Sequence, residues 1–321
     1  MNFLIIIIFV SLGWAAKYYH LTKVKHTNLL NRYIIYVCLP AIILLKIPQL
    51  NIDQNMIFPV IMAWLLVPVA AISVLVLTRI FGWSKEILGC LLLVVCFGNT
   101  SFVGFPIIQA FYGEQALGYA VIYDQVGSFL SLAIIGNLFL VKYSTAPNRY
   151  ITNSDNYSTT LNKRQPNVPP IATFVIKVFS FPPFIALIIA FLIGDSYIPQ
   201  IIQNSFWLIS LTLVPATMFL VGSYFQLKIP TEFVKPLGWA IVIKMLLTPA
   251  FALLLLLSFD QHGLYSQVTF MEAAMPPMVS ASILAIHANL APKLAAAAVG
   301  YGLIMAIFVI PLVYWLSNLI K

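Results

Sequence analysis

Apolar residues fill this chain in long blocks, separated by short polar connections. Ten blocks have the roughly 17–25 residues that a helix needs to cross the hydrocarbon core of a bilayer. They fall at 2–19, 31–48, 56–79, 86–111, 115–141, 171–193, 201–226, 234–257, 265–290 and 294–318. None shows the period-two alternation of an outer-membrane barrel strand, so the pattern predicts an all-α integral membrane protein with ten transmembrane helices. Phe3–Ala16 has no basic residue before it, and Lys17, Lys23, Lys25 and Arg32 follow it. That order is the reverse of a secretory signal and marks a first spanning helix, anchored at the interface by Tyr18 and Tyr19.

Two blocks contain what a spanning helix avoids. Cys96–Glu114 holds Gly98-Asn99-Thr100-Ser101, then Gly104 and Pro106. Met275-Pro276-Pro277-Met278 interrupts the ninth block. Unpaired backbone groups cost several kcal/mol in hydrocarbon, so such breaks persist only inside protein or beside a water-filled cavity. Paired interruptions in the two halves of a chain point to the midplane binding site of a secondary transporter.

Only one connection is long: Lys142–Pro170, rich in Asn, Ser, Thr and Pro, which reads as a flexible solvated loop. It divides the chain into 1–141, with helices 1–5, the loop 142–170, and 171–321, with helices 6–10. Five spans per half is an odd number, so any repeat must be inverted in the membrane. Leu39-Pro40-Ala41 matches Val214-Pro215-Ala216, and Pro106 matches Pro277. Pro40 to Pro106 spans 66 positions and Pro215 to Pro277 spans 62. Gly113-Glu114-Gln115-Ala116 and Ala291-Pro292-Lys293-Leu294-Ala295 open the next helices alike. The expected fold is therefore two inverted five-helix repeats with broken helices 4 and 9.

Composition agrees. The chain has 321 residues, 61% hydrophobic and 8% charged, with mean hydropathy +0.98, whereas soluble domains carry about 25% charged residues. The net charge of +8 does not indicate nucleic acid, because of where the charge lies. Lys17, Lys23, Lys25, Arg32, Arg79, Lys85, Lys142, Arg149, Lys163, Arg164, Lys177, Lys228, Lys235 and Lys293 all fall on one side of the ten-span topology. Only Lys46 and Lys321 fall on the other, and Lys244 lies within a span. By the positive-inside rule both termini are outside a cell membrane and the central loop is cytoplasmic. Cys38, Cys90 and Cys96 sit in apolar spans without metal-ligand spacing and read as small hydrophobes.

Gly98-Asn99-Thr100 with Gly104-Phe105-Pro106 and Gly113-Glu114 resembles the fourth-helix signature of the auxin efflux carrier family. Met271-Glu272-Ala273-Ala274-Met275-Pro276 and Ala291–Val299 resemble its ninth helix and the start of its tenth. The resemblance spans the whole chain, and the short loop is similar to the bacterial members. It implies broken helices 4 and 9 that cross at the midplane, a transport domain moving against a scaffold in an elevator-like cycle, and organic anions as substrates, malate- or malonate-like carboxylates among bacterial members. Glu272 departs from the family pattern, where a neutral glutamine is common, and its coupling is open on that account.

A broken helix exposes the first N–H groups and the positive dipole end of its second half. Those halves are expected to begin near Pro106 and Pro277; where they meet, two N-termini form an anion site made largely of backbone. Candidate substrate-binding residues are Gly98, Asn99, Thr100, Ser101 and Pro106 on one side, with Pro276, Pro277, Ser280 and Ser282 on the other. Each hydroxyl has a plainer alternative, a bond back to its own helix. Charges within spans are functional candidates by default. These are Asp124, Lys244 and Glu272. Burial disfavours the charged form of any such group, so the two acids are candidates for proton exchange, or else for a structural pair with Lys244. Lys244 is also a candidate counter-charge for an anionic substrate. Glu114 is expected at an exposed helix N-terminus, and His287 as a packed or interface residue.

The reading is thus a permease for a small organic anion, with the bilayer as its other partner, proton coupling and a homodimer left open, and no cofactor or metal. A sodium-coupled symporter of the bile-acid type, using Glu272 and Asn99, is the alternative. An intramembrane protease would need Gly-x-Ser-x-Gly with a histidine at depth, and a prenyl transferase an Asp-rich cluster; neither pattern occurs, so no enzyme is expected.

Overall fold

The computed structural model describes residues 3–22, 24–49, 56–144, 179–194, 199–223 and 229–321. Among them there are helices and no strands. Such backbone satisfies its own polar groups within each segment, as hydrocarbon requires. The helices are α1 (Phe3–Tyr18), α2 (Lys25–Lys46), α3 (Ile57–Phe81), α4 (Lys85–Cys96), α5 (Phe105–Tyr112) and α6 (Glu114–Tyr143). They continue as α7 (Pro182–Ile193), α8 (Gln200–Ser223), α9 (Thr231–Ser258), α10 (Leu264–Ala273), α11 (Val279–His287) and α12 (Pro292–Ile320). Six of these, α2, α3, α6, α8, α9 and α12, are individually long and apolar enough to cross a membrane. The expected spans 86–111 and 265–290 are instead two shorter helices each. Most of the expected central loop, and residues 171–178 of the sixth block, lie outside the described residues.

Proline shapes several helices locally. It lacks an N–H, and its ring collides with the carbonyl four residues earlier. Here Pro40, Pro106 and Pro249 each stand just after a widened π turn, at Ile34–Cys38, Thr100–Gly104 and Ile243–Leu247. A further π turn, Tyr123–Phe129, lies within α6. Such insertions are frequent at functional sites, and here two of them carry Asp124 and Lys244.

The two breaks find each other. α4 ends at Cys96, and Phe97 is extended (φ −117°, ψ 122°); α10 ends at Ala273, and Met278 is extended (φ −70°, ψ 129°). Gly98 then forms an antiparallel bridge with Pro277. Asn99 N donates to Pro276 O at 2.8 Å, and Met278 N donates to Phe97 O at 3.0 Å. Backbone groups orphaned by both breaks are thereby satisfied by one another. Pro276-Pro277 stops α10 without adding N–H groups that would need partners. Gly302 of α12 leaves room for this segment, since a Cβ there would press on Pro277.

The second halves begin close to the two prolines, α5 at Phe105 and α11 at Val279. The pairing itself sets Gly98 opposite Pro277. The chain resumes turning at Thr100, in the π turn, so Pro106 lies in the first turn of α5 beyond the break.

The helices sort into two groups by their neighbours. α1 runs along the second half of α8, while α2 packs on α7 and α8. In the second group α4 packs on α3, α11 and α12, α9 on α10 and α12, and α6 on α3. A hydrophobic cluster from Val67 to Ala298 belongs wholly to the second group. The groups meet where Leu213–Ser223 of α8 touches the π turn Thr100–Gly104, and where α2 touches Leu117–Ile122 of α6. Lys46 and Glu114 span that junction as an ion pair at 2.7 Å, so Glu114 is engaged across helices as well as standing at the start of α6.

The α1–α8 contact depends on missing side chains. A Cβ on Gly13 would overlap the Phe219 carbonyl, and one on Gly222 the Val10 carbonyl. Close backbone approach through small residues is how helices associate in lipid, where no hydrophobic force draws them together. Gly222→Leu must push the two helices apart, at about 1–3 kcal/mol or more. Thermal unfolding in detergent should fall by several degrees; an unchanged midpoint would contradict this packing.

Candidate functional site

The bridge is lined by buried polar side chains from four segments. Asn99 is 2% exposed. Its Oδ1 accepts the Phe102 N–H at 3.2 Å, capping the π turn. That bond fixes the amide so that Nδ2 is its free end, buried and without a protein partner. A buried donor left unmade costs about 1–3 kcal/mol.

Asp124, from the π turn of α6, reaches the same turn from the other side. It accepts from the Thr100 hydroxyl, from Ser101 Oγ at 2.6 Å and from Gln125 Nε2 at 2.6 Å. Three donors on one buried carboxyl make it an anchor that ties the break to α6. The Thr100 and Ser101 protons are engaged in that anchor, neither bonding back to their own helix nor open to a ligand as donors.

Lys244 and Glu272 are placed against glycines. A Cβ on Gly98 would come within 3.0 Å of Lys244 Nζ. One on Gly104 would overlap the Glu272 carboxyl. Lys244 Nζ donates to Ala273 O at 3.3 Å, the carbonyl at the end of α10, where the helix dipole is negative. Thr248 Oγ1 closes the widened turn by bonding Lys244 O at 2.6 Å. Lys244 forms no ion pair with Asp124 or Glu272 within 4.0 Å, so the structural lysine–carboxylate pair is not what is built. Glu272, in the last turn of α10, is fully buried, and both of its carboxyl oxygens lack a hydrogen-bond partner. Of the two acids, one is saturated with donors and the other has none.

The remaining candidates separate. Pro276 and Pro277 are at the bridge itself. Pro106 is buried in α5, in the turn after the break. Ser282 is buried but donates to Ala295 O of α12 at 2.8 Å, which places its hydroxyl in helix packing. Ser280 is exposed on α11. On a helix two residues' separation puts side chains on different faces, and the spacing from Pro277 could not say which face is which. Gln125 was not singled out from the sequence. Its position beside Asp124 within an apolar block was the available signal; it donates to Asp124 and leaves Oε1 buried and unpartnered. Cys38, Cys90 and Cys96 are buried free thiols. Among the described residues no three of His, Cys, Asp and Glu gather as a metal site.

The paired break is thus lined by a free amide, a lysine and an unpartnered carboxyl. The membrane transport protein family model matches residues 1–314. The chain belongs to this family of transporters, the one that includes the auxin efflux carriers. An uncharacterized transporter of Methanocaldococcus jannaschii is 26% identical, over 98% of this chain and 97% of its own. An uncharacterized transporter of Methanothermobacter thermautotrophicus is 22% identical, over 96% of this chain and 94% of its own. The transporter is therefore a multi-pass membrane protein acting on a small-molecule substrate, not an enzyme.

The anchor role of Asp124 can be checked apart from transport. Asp124→Ala strands two buried hydroxyls and an amide, at about 1–3 kcal/mol each. The melting midpoint of the purified transporter should drop by more than that of Glu272→Ala, which removes no bonded partner. Equal or reversed effects would contradict the assignment.

Proposed function

We propose that this transporter is a permease for a small organic anion, a carboxylate, which binds at the paired breaks. The observation that carries the reading is Asn99: a buried amide held by its own cap, with a free donor beside the bridge. Around it lie the starts of two helical segments, each with N–H groups that have no partner within their helix and a positive dipole end. Lys244 supplies the positive charge against Gly98. Donors of this kind suit a carboxylate, as in the discontinuous helices of secondary transporters.

In this reading the chain is two inverted five-helix repeats of ten spans, and the breaks are where spans four and nine cross. The antiparallel sense of the Gly98–Pro277 bridge is consistent with a two-fold axis in the membrane plane. Helices α3–α6 and α9–α12 would move as a body against α1, α2, α7 and α8, carrying the site between the two faces of the cell membrane. The sorting of contacts supports that division. Both termini lie outside, with the central loop in the cytoplasm, on the strength of the lysine and arginine asymmetry.

Glu272 is the coupling group in this account. A buried carboxylate without donors or a cation is costly, since breaking a buried pair typically costs about 3–5 kcal/mol. Taking up and releasing a proton relieves that cost, and anion movement would be tied to it.

Uptake of a radiolabelled carboxylate into proteoliposomes tests both parts. Asn99→Ala should lower uptake about tenfold or more, the worth of one charged-group hydrogen bond, and Pro277→Ala should lower it by loosening the break, while insertion is kept in both. Normal uptake in both would remove the site. Glu272→Gln should flatten the pH dependence of transport; an unchanged pH profile, or a strict need for sodium, would remove the proton and favour a cation-coupled symporter.

A further inference from the structure

α9 carries Lys244 on its widened turn, Ile243–Leu247, and Pro249 stands just beyond that turn. The arrangement deprives one carbonyl of its backbone donor. In an α-helix Lys244 O would accept from the N–H four residues on, at Thr248. Here the Thr248 N–H goes to Ile243 O, as the π register requires. The next donor in line would be at position 249, and proline has no N–H. At membrane depth no water replaces a missing donor.

The Thr248 side chain supplies it. Thr248 is buried, and its Oγ1 donates to Lys244 O at 2.6 Å. Hydroxyls that bond back four residues commonly compete with a helix whose carbonyls are already served. This one stands in for two donors, withheld by the π register and by the proline. A hydroxyl has one proton, so its longer approach to Ala273 O, at 3.5 Å, leaves that carbonyl to Lys244 Nζ at 3.3 Å.

We infer that Thr248 is a positioning residue for Lys244: its hydroxyl holds the π turn that sets the ammonium group against Gly98 and Ala273 O. The inference rests on the reading of Lys244 as the counter-charge for a carboxylate. A π turn inserts one residue, which at 3.6 residues per turn offsets the helix faces on its two sides by about 100°. Without the hydroxyl, the turn must either leave Lys244 O bare or give up the π register. Giving it up swings Lys244 away from Gly98, where the missing Cβ makes room for Nζ.

Uptake of radiolabelled acetate, lactate, malonate and succinate into proteoliposomes, with KM and Vmax measured for the one taken up fastest, provides the test. Thr248→Val keeps the side chain's shape without its hydroxyl. It should raise KM about tenfold and leave Vmax within about twofold, the mark of lost binding rather than a lost transport step. Thr248→Ala should do the same, and stands in if the valine variant does not fold. Thr248→Ser, which differs from alanine by the hydroxyl alone, should return KM to within about twofold of the wild type. Melting midpoints verify that the variants are folded, and Lys244→Met, which should raise KM at least as far or abolish uptake, is the reference. A raised KM in Lys244→Met with none in Thr248→Val and Thr248→Ala, or a serine variant no better than alanine, overturns the positioning role and leaves the counter-charge standing. An unchanged KM in Lys244→Met, or no uptake of any of the four acids, overturns the reading of the site and this inference with it.

Discussion

An open backbone cannot be left in hydrocarbon, and that constraint governs this molecule. Two helices are interrupted inside the apolar blocks, and each interruption frees donors and acceptors that lipid will not satisfy. The antiparallel pairing of Gly98 with Pro277 settles both at once, through Asn99 N to Pro276 O and Met278 N to Phe97 O. Everything near it serves that junction. Asp124 ties the π turn to α6, Gly302 leaves room for the two prolines, and Gly98 and Gly104 admit Lys244 and Glu272 to the backbone.

The same economy is why we propose the junction as the site. Side chains beside a backbone pairing are fixed by it, so Asn99 cannot turn its amide away to find another partner. Lys244 is bonded to a helix-end carbonyl with donors in reserve, and Glu272 has no donor at all, which is the ground for proposing it as the coupling group. Preorganisation of this kind comes from the break itself rather than from a dedicated binding loop.

Much of the architecture was legible in the sequence, because the bilayer imposes a simple length rule on apolar runs. Phe3–Tyr18, Ile57–Phe81 and Thr231–Ser258 fall within a few residues of the blocks that announced them. Both breaks were legible too, since glycine, asparagine and proline have no ordinary reason to cluster there. Pairing register was not legible. Pro106 and Pro277 look alike as letters, but Pro277 pairs with Gly98, ahead of Pro106, because a π turn already restarts the first helix at Thr100. Side-chain facing was likewise hidden: Ser282 turns to α12, Ser280 is exposed, and Asp124 accepts from three neighbouring donors.

The central claim is that the paired breaks recognise a carboxylate. Counterflow in proteoliposomes, with a panel of mono- and dicarboxylates beside their neutral amides, addresses it most directly. The account predicts exchange of at least one small carboxylate and none of its amide. Exchange of amide and acid at similar rates, or of no carboxylate at all, would contradict it.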